Sequence, residues 1–283
     1  MSFGRVVGLT VLAMIAFAGN SLLCRVALKH TAIDAASFTA IRLVSGAIML
    51  WLLMRVRRTS PAGRGNWLSA LALFAYAAGF SFAYLTLSAA TGALILFGAV
   101  QATMIAYGIS KGDRLKDRQL IGFTMACAGL VGLLLPGLSA PPLFGSILML
   151  IAGVAWGVYS LRGRGAGDAL TVTAGNFLRA APLALLMCAA SLNHASVDTA
   201  GIVYAVASGA LASGIGYAIW YTALPALKAT VAATVQLSVP VLAALGGIVF
   251  LDEALSVRLV LASLAILGGI AIVILDRRPP VGT

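Results

Sequence analysis

Residues 251–275 read LDEALSVRLVLASLAILGGIAIVIL, a short acidic segment followed by a long apolar run. No residue from Leu259 to Leu275 is charged, and about 20 such residues are enough for an α-helix to cross the hydrocarbon core of a bilayer. In lipid, only a helix satisfies all of its backbone hydrogen bonds within one segment. The stretch therefore predicts a transmembrane helix over residues 256–275.

Nine further apolar runs of similar length precede this one, and Pro, Gly and charged residues separate them. Examples of such breaks are Ser60-Pro61, Pro136-Gly137 and Leu224-Pro225. The sequence thus predicts an all-α membrane protein with ten transmembrane helices. The predicted spans are 4–28, 35–55, 66–87, 91–109, 118–136, 142–161, 171–191, 199–222, 227–250 and 256–275.

The composition agrees with this interpretation. The chain is 61% hydrophobic and 10% charged, with a mean hydropathy of +1.04, whereas soluble domains carry about 25% charged residues. Ten spans occupy most of the 283 residues, so we expect no appended soluble domain. The alternating pattern of a membrane β-barrel is absent from these runs. The net charge of +11 is better explained by basic residues at one membrane face than by nucleic-acid binding.

The loops divide the basic residues very unevenly. Fourteen of the 19 Lys and Arg residues fall on one side of the predicted membrane, and Lys29 and Arg258 fall on the other. The remaining three, Arg25, Arg42 and Arg179, lie within spans. Because loops rich in Lys and Arg stay in the cytoplasm, we expect both termini to be cytoplasmic and the protein to lie in a bacterial-type inner membrane.

The two halves of the sequence resemble each other. DRLKDR at residues 113–118 aligns with EALSVR at residues 253–258, an offset of 140, and Gln101 in the fourth span matches Gln236 in the ninth at an offset of 135. Each half holds five predicted helices, an odd number, so the second copy must enter the membrane from the opposite side. We therefore expect two inverted five-helix repeats, residues 1–137 and 138–283, around a central cavity, an arrangement known from transporters.

Several residues carry a family resemblance. Gly19-Asn20, Arg42, Glu253-x-Leu255 and Gly268-Gly269 resemble EamA-type proteins of the drug/metabolite transporter superfamily, with the YddG-type exporters of aromatic amino acids most similar. The resemblance covers the chain as two tandem copies. It implies a carrier that works by alternating access around its central cavity. The first copy departs from the pattern, because Asp113 stands where the second copy has Glu253.

Motifs for other chemistries are missing from the sequence. There is no phosphate-binding Gly-x4-Gly-Lys-Ser/Thr loop and no His-Glu-x2-His zinc motif. Gly165-Ala166-Gly167-Asp168 matches the Gly-x-Gly-Asp string of intramembrane aspartyl proteases, but no span supplies the second Asp that this chemistry requires. We expect no enzyme activity, no metal and no cofactor. Since no acidic residue lies deep in a span, we also expect transport without obligatory proton exchange.

Polar and aromatic residues near the middle of the spans are the candidates for substrate binding. Ring faces would hold an apolar side chain, and amides, which are costly to leave unpaired in lipid, would hold a zwitterion. The candidates are Asn20, Tyr76, Phe80, Phe97, Gln101, Trp156, Tyr159, Tyr217 and Gln236.

Three further residues are predicted to have structural or gating roles. A centrally placed Arg in a membrane costs about 2.5–3.5 kcal/mol on insertion scales, so Arg42 and Arg179 need partners, and direct binding of a substrate carboxylate remains the alternative. Pro240 lacks an N–H and frees the carbonyl of Gln236, four residues earlier, from its helical bond.

Together these features predict an inner-membrane secondary transporter that exports amino acids, aromatic or bulky hydrophobic ones, and related metabolites. A nucleotide-sugar or drug carrier of the same superfamily is the alternative, and a lipid scramblase or intramembrane enzyme is the alternative of another class. The expected partners are a small-molecule substrate and the lipid bilayer, with no nucleic acid and no obligatory protein partner.

The inverted repeat places residues 113 and 252 on opposite sides of the membrane. In a variant without native cysteines, a membrane-impermeant maleimide added outside intact cells should label Asp252→Cys and spare Asp113→Cys. Permeabilised cells, in which both sites should react, provide the control. Labelling of both cysteines from outside would exclude the inverted topology.

Overall fold

The computed structural model describes residues 1–58, 65–112, 116–137, 140–163, 168–227 and 229–275, and this part of the chain is helical without strands. The α-helices are α1 (Phe3–His30), α2 (Ala35–Val56), α3 (Trp67–Ala83), α4 (Ala89–Ser110), α5 (Asp117–Leu134), α6 (Leu143–Gly163), α7 (Ala169–Ala190), α8 (Thr199–Val206), α9 (Gly216–Ala223), α10 (Ala229–Gln236), α11 (Ser238–Leu251) and α12 (Val257–Leu275). A π-helical segment, Ala207–Ile215, joins α8 to α9, and single 3-10 turns occupy Leu192–His194 and Leu224–Ala226.

Each of the ten predicted spans contains one helix or two consecutive helices. The eighth comprises α8, the π-helical segment and α9, the ninth comprises α10 and α11, and the tenth is α12. Seven of these regions are long and apolar enough to cross a membrane: α1, α2, α4, α6, α7, Thr199–Ala226 and α12. Among the rest, α3 and α11 are apolar but shorter, and α5 begins with the charged pair Asp117-Arg118. The protein is therefore a multi-pass membrane protein.

Aspartates begin several of the helices. The carboxylates of Asp34, Asp168 and Asp198 each accept a hydrogen bond from the backbone N–H groups of the first turn of α2, α7 and α8, respectively. Such caps satisfy donors that have no partner within the helix and favour the positive end of its dipole. Asp168, the aspartate of the protease-like string, is thus a helix cap.

Asp34 also connects two loops. Its second carboxylate oxygen accepts from the backbone N–H of Ser196 at 3.0 Å, and its own N–H donates to the carbonyl of Ser196 at 2.9 Å. Partial burial alone would raise the pKa of Asp34, but the hydrogen bonds from Ser37, Ser196 and Ala36 outweigh it and lower the pKa. This contact ties the loop before α2 to the loop before α8.

The helices pack mainly in pairs. The strongest pairings join α5 to α12, α3 to α6, α4 to α6 and α2 to α7, while α1 contacts α9, α11 and the π-helical segment. Large apolar side chains such as Phe144 and Leu186 are exposed on the outer faces of the helices, where lipid would cover them. Alanines are the commonest residues of the interior, followed by leucines and aromatic rings.

Proline has different effects in α7 and in the ninth span. Pro182 lies inside α7, which continues to Ala190. In the ninth span the helix is interrupted at Leu237, between Gln236 and Ser238. Pro240 follows this break and has no N–H for the carbonyl of Gln236, which is the interruption expected from the sequence.

The π-helical segment approaches the backbone of α2 closely. A Cβ atom added to Gly209 would overlap both the carbonyl oxygen of Arg42 and the Oγ atom of Ser45. Small residues permit such close packing between membrane helices. Gly209 therefore allows the eighth span to lie directly against the turn of α2 that carries Arg42.

We expect Gly209→Ala to lower the free energy of unfolding by about 1–3 kcal/mol, because the added methyl group must displace backbone atoms. The melting temperature of the purified protein in detergent measures the effect. Gly8→Ala is the matched control, since nothing lies within 4 Å of a Cβ atom built there. Equal melting temperatures for the two variants would contradict the close contact.

Candidate functional site: a central polar-aromatic cavity

A cavity with an empty volume of about 440 Å³, its open side included, lies among α1, α3, α4, α6, the π-helical segment, α9 and α10. Its lining residues are Phe17, Asn20, Ser21, Tyr76, Phe80, Leu96, Phe97, Trp156, Ala212, Ser213, Tyr217 and Gln236. Seven of the nine residues predicted to bind substrate are among them. They come from both halves of the sequence.

The other two predicted residues, Tyr159 and Gln101, do not line the cavity. Tyr159 stacks on Trp156, with ring centroids 5.3 Å apart, and is buried behind it. Gln101 is buried on α4, one turn beyond Phe97. Both sit next to lining residues, so a role for either one would be indirect in this conformation.

Aromatic rings form one wall of the cavity. Trp156 lies between Tyr76, at 4.7 Å between ring centroids, and Tyr217, at 5.4 Å with nearly parallel ring planes. Tyr76 also contacts Phe80 at 5.4 Å, and Phe17 meets Tyr217 edge-on at 5.8 Å. The i, i+4 spacing of Tyr76 and Phe80 places them on one face of α3.

A chain of hydrogen bonds forms the polar side. The Oγ atom of Ser208 donates to the Oδ1 atom of Asn20 at 2.6 Å, and the Nδ2 atom of Asn20 donates to the hydroxyl of Tyr76 at 3.3 Å. The Nη2 atom of Arg42 donates to the same hydroxyl at 3.0 Å. At the break in the ninth span, the Nε2 atom of Gln236 donates to the carbonyl of Ala232 at 3.2 Å. Asn20 and Tyr76 thus connect α1, α2, α3 and the π-helical segment.

The two arginines at corresponding positions have different surroundings. Arg42 is only 2% exposed, and its guanidinium lies over the rings of Phe80 and Tyr76. Arg179 is half-buried, and its Nη1 atom donates to the carbonyl of Gly175 one turn earlier. Arg42 therefore belongs to the surroundings of the cavity, whereas Arg179 is hydrogen-bonded to its own helix.

Some lining residues were not predicted from the sequence. Ala212 and Ser213 belong to the π-helical segment, and Ser213 lies four residues before the lining residue Tyr217. Phe17 and Ser21 lie three residues before and one residue after Asn20 on α1. Placing Asn20 toward the cavity on a helical wheel could have suggested both of them.

One end of the cavity is closed by a cluster of charged and backbone groups, which we call the Arg25 latch. The Nε atom of Arg25 forms a salt bridge with Glu253 at 3.0 Å, and its Nη1 atom donates to the carbonyls of Tyr84 and Leu85. Glu253 also accepts from the backbone N–H of Ala89 at 2.7 Å. The latch thereby joins α1, the end of α3, the start of α4 and the loop after α11.

The latch lies just beyond the cavity. Arg25 follows the lining residue Ser21 by four residues, or about 6 Å along α1. Between them and α4 lies Tyr84, which is fully buried. Its ring packs edge-on against Phe80 at 4.7 Å, and its hydroxyl donates to the carbonyl of Ala89. This end of the cavity is therefore sealed by a ring and an ion pair.

Carboxylates are missing from the cavity as far as the described residues show. None of its lining residues is acidic, and the described Asp and Glu side chains act at helix starts, in loops or in the latch. Nor do the described residues contain a group of three His, Cys, Asp or Glu side chains that could hold a metal ion. The charge near the cavity is therefore the positive charge of Arg42.

The fold and the cavity define a helical membrane protein with a polar-aromatic central site. Residues 143–275 match the EamA-like transporter family. The chain is 60% identical over 275 residues to an uncharacterized protein of Pseudomonas aeruginosa, PA1977, and the alignment covers 96% of each chain. It is 28% identical to an uncharacterized transporter of Archaeoglobus fulgidus over 87% of this chain and 89% of the relative.

Two further comparisons concern a named exporter and a solved structure. The chain is 31% identical over 151 residues to the threonine/homoserine exporter RhtA of Escherichia coli K12, which is 50% of each chain. One crystal structure matches 98% of this chain and 100% of its own, with a TM-score of 0.68 and 23% identity, and so shares the fold. The chain belongs to the EamA-like transporter family.

The Arg25 latch predicts a coupled pair. We expect Glu253→Gln to lower the free energy of unfolding by about 1–3 kcal/mol, because the guanidinium of Arg25 loses its countercharge. Arg25→Gln should lower the free energy of unfolding much less in the Glu253→Gln variant than in the wild type. Melting curves of the wild type, the two single variants and the double variant measure the coupling between the two residues.

Asp252→Asn is the matched control for the latch, because the neighbouring carboxylate of Asp252 makes no hydrogen bond or ion pair with the described residues. It should melt like the wild type. Strictly additive effects of the two latch substitutions would show that the ion pair does not hold this end together.

Proposed function

We propose that the protein is an inner-membrane secondary transporter that exports amino acids, aromatic or bulky hydrophobic ones, by alternating access. In this proposal ten helices cross the membrane as two inverted repeats, residues 1–137 and 138–283, and both termini are cytoplasmic. The observation that carries the proposal is the central cavity, in which rings and amides from both halves surround one space.

The chemistry of the cavity suits an amino acid with a large side chain. Trp156, Tyr217 and Phe80 present ring faces and edges, which bind apolar and aromatic groups through stacked and edge-on contacts. Asn20 and Gln236 stand beside these rings and offer polar groups to a zwitterion. A site with few polar groups in an apolar wall is typical of small-molecule binding.

The family relatives support the same class of substrate. RhtA is named as an exporter of threonine and homoserine, two small polar amino acids, and it matches half of this chain. The rings around Trp156 favour a larger and more apolar side chain. We therefore infer that this protein shares amino-acid export with that relative but prefers bulkier substrates.

Alternating access requires that one end of the cavity closes while the other opens. The Arg25 latch seals the end that the distribution of basic residues assigns to the outside, so we infer a conformation closed to the exterior. Release of substrate would then require the Arg25–Glu253 pair to separate. The helix break before Pro240 and the half-buried Arg179 are the places where we expect the second half to bend or slide.

The composition of the cavity also indicates how transport is driven. None of the described lining residues is a carboxylate that could carry a proton, and intramembrane carboxylates are the usual proton relays. We therefore propose transport down the substrate gradient without obligatory proton exchange.

Proteoliposomes test this proposal. Purified protein should move labelled phenylalanine down its concentration gradient faster than protein-free liposomes, and the flux should persist with equal pH on both sides. Threonine and a nucleotide sugar are the comparison substrates. Flux of the nucleotide sugar without that of any amino acid would overturn the substrate class, and a strict need for a proton gradient would overturn the proposed coupling.

In the same assay Trp156→Ala should weaken phenylalanine transport about five- to thirty-fold at low substrate concentration, since one ring contact is worth roughly 1–2 kcal/mol. Trp67→Ala is the matched control, because Trp67 is 58% exposed at the start of α3. Equal loss in both variants, or none in either, would remove Trp156 from the site.

A further inference from the structure

Arg42 is a buried cation that lacks a countercharge. Its side chain is 2% exposed, and none of the described carboxylates forms an ion pair with it. Its Nη2 atom is bonded to Tyr76, but its Nη1 atom has no hydrogen-bond partner among the described residues. A charge removed from water is normally paired or fully hydrogen-bonded. The positive charge of Arg42 is therefore not fully compensated by the described residues.

The hydroxyl of Tyr76 links Arg42 to the cavity. A phenol oxygen can accept two hydrogen bonds and donate one, and this oxygen already accepts from Arg42 and Asn20. No described residue accepts the phenol proton. Since Tyr76 lines the cavity, that proton is free for an acceptor in the cavity, and the nearby cation strengthens it as a donor.

Ser213 supplies a second unused hydroxyl. Its side chain is 2% exposed and lines the cavity, and its Oγ atom has no hydrogen-bond partner among the described residues. Two residues that line the cavity, Tyr76 and Ser213, thus have hydroxyl protons without an acceptor among the described residues, and the positive charge of Arg42 lies beside Tyr76. The described lining residues offer no negative charge in return.

We propose that Tyr76 and Ser213, supported by the buried Arg42, form a carboxylate subsite, and that the protein recognises its substrates by their carboxylate rather than by their ammonium group. The proposal rests on the proposed amino-acid export and narrows it to aromatic and bulky monocarboxylates. The hydroxyls of Tyr76 and Ser213 contact the carboxylate, and Arg42 acts as a positioning residue through Tyr76. Amines and amino-acid amides of the same shape lack the group that neutralises this charge.

Three probes with the same ring separate the two ends of the substrate: phenylalanine, 3-phenylpropionate, which has only the carboxylate, and 2-phenylethylamine, which has only the amine. At pH 7 the acid is ionised and the amine protonated. Isothermal titration calorimetry on the purified full-length protein should show 3-phenylpropionate binding at least about tenfold more tightly than 2-phenylethylamine, because a hydrogen bond to a charged group is strong.

Single-hydroxyl variants test the assigned atoms. Tyr76→Phe and Ser213→Ala keep the ring and the small side chain, and each should weaken binding of 3-phenylpropionate by about tenfold while leaving the amine unchanged. Tyr107→Phe, on the exposed part of α4, is the matched control. Arg42→Gln should also abolish the preference for the acid, but it alters packing against Phe80 as well. The Tyr76→Phe and Ser213→Ala variants are therefore the decisive test of the subsite.

The outcomes separate this subsite from the transport proposal. An amine that binds as tightly as the acid, no binding of either probe, or unchanged acid binding in both hydroxyl variants overturns the subsite even if phenylalanine is transported. Selective acid binding that depends on both hydroxyls, in a protein that moves no amino acid in proteoliposomes, upholds the subsite and overturns the proposed function.

Discussion

The lipid interior cannot accept or donate hydrogen bonds, and this constraint governs where the polar side chains within the apolar helices lie. Ser208, Asn20, Tyr76 and Arg42 meet it by bonding to one another across four helical segments. Ser213 and Gln236, which lie outside this set of hydrogen bonds, line the cavity, which can hold water or a ligand. The interactions that tie the helices together thus also determine the chemistry of the central site.

The same constraint explains how the closed end is built. The backbone groups where α3 ends and α4 begins have no partners within their helices, and Arg25 and Glu253 satisfy them while pairing with each other. A single substitution in this cluster leaves both a charge and a backbone group unpaired. Helix ends that need partners are therefore suited to an element that closes and reopens, because water can replace those partners in the open state.

Local spacing was a good guide to the site wherever the helices are regular. Tyr76 and Phe80 both line the cavity, since an α-helix brings residues four apart onto one face. Asn20 and Gln236 line it as well, since an amide in lipid must face protein or a cavity. Tyr159 and Gln101 satisfy the same rules but lie in a second layer. Helical periodicity predicts which face of a helix a residue occupies, but it does not predict how far that residue lies from the cavity. Ser213, in the π-helical segment, and Tyr217, four residues later in α9, both line the cavity.

The sequence by itself determined the helical class, the approximate positions of the helices and most of the residues that line the cavity, because hydrophobic length and helical period are local properties of the chain. The tertiary structure alone decided which of two corresponding arginines is buried. Arg42 lies where Gly209 lets the eighth span press against α2 beneath the rings of α3, whereas Arg179 bonds to its own helix. It also decided that Arg25 meets Glu253, 228 residues away. Such pairings depend on how distant helices pack, and no local pattern encodes that packing.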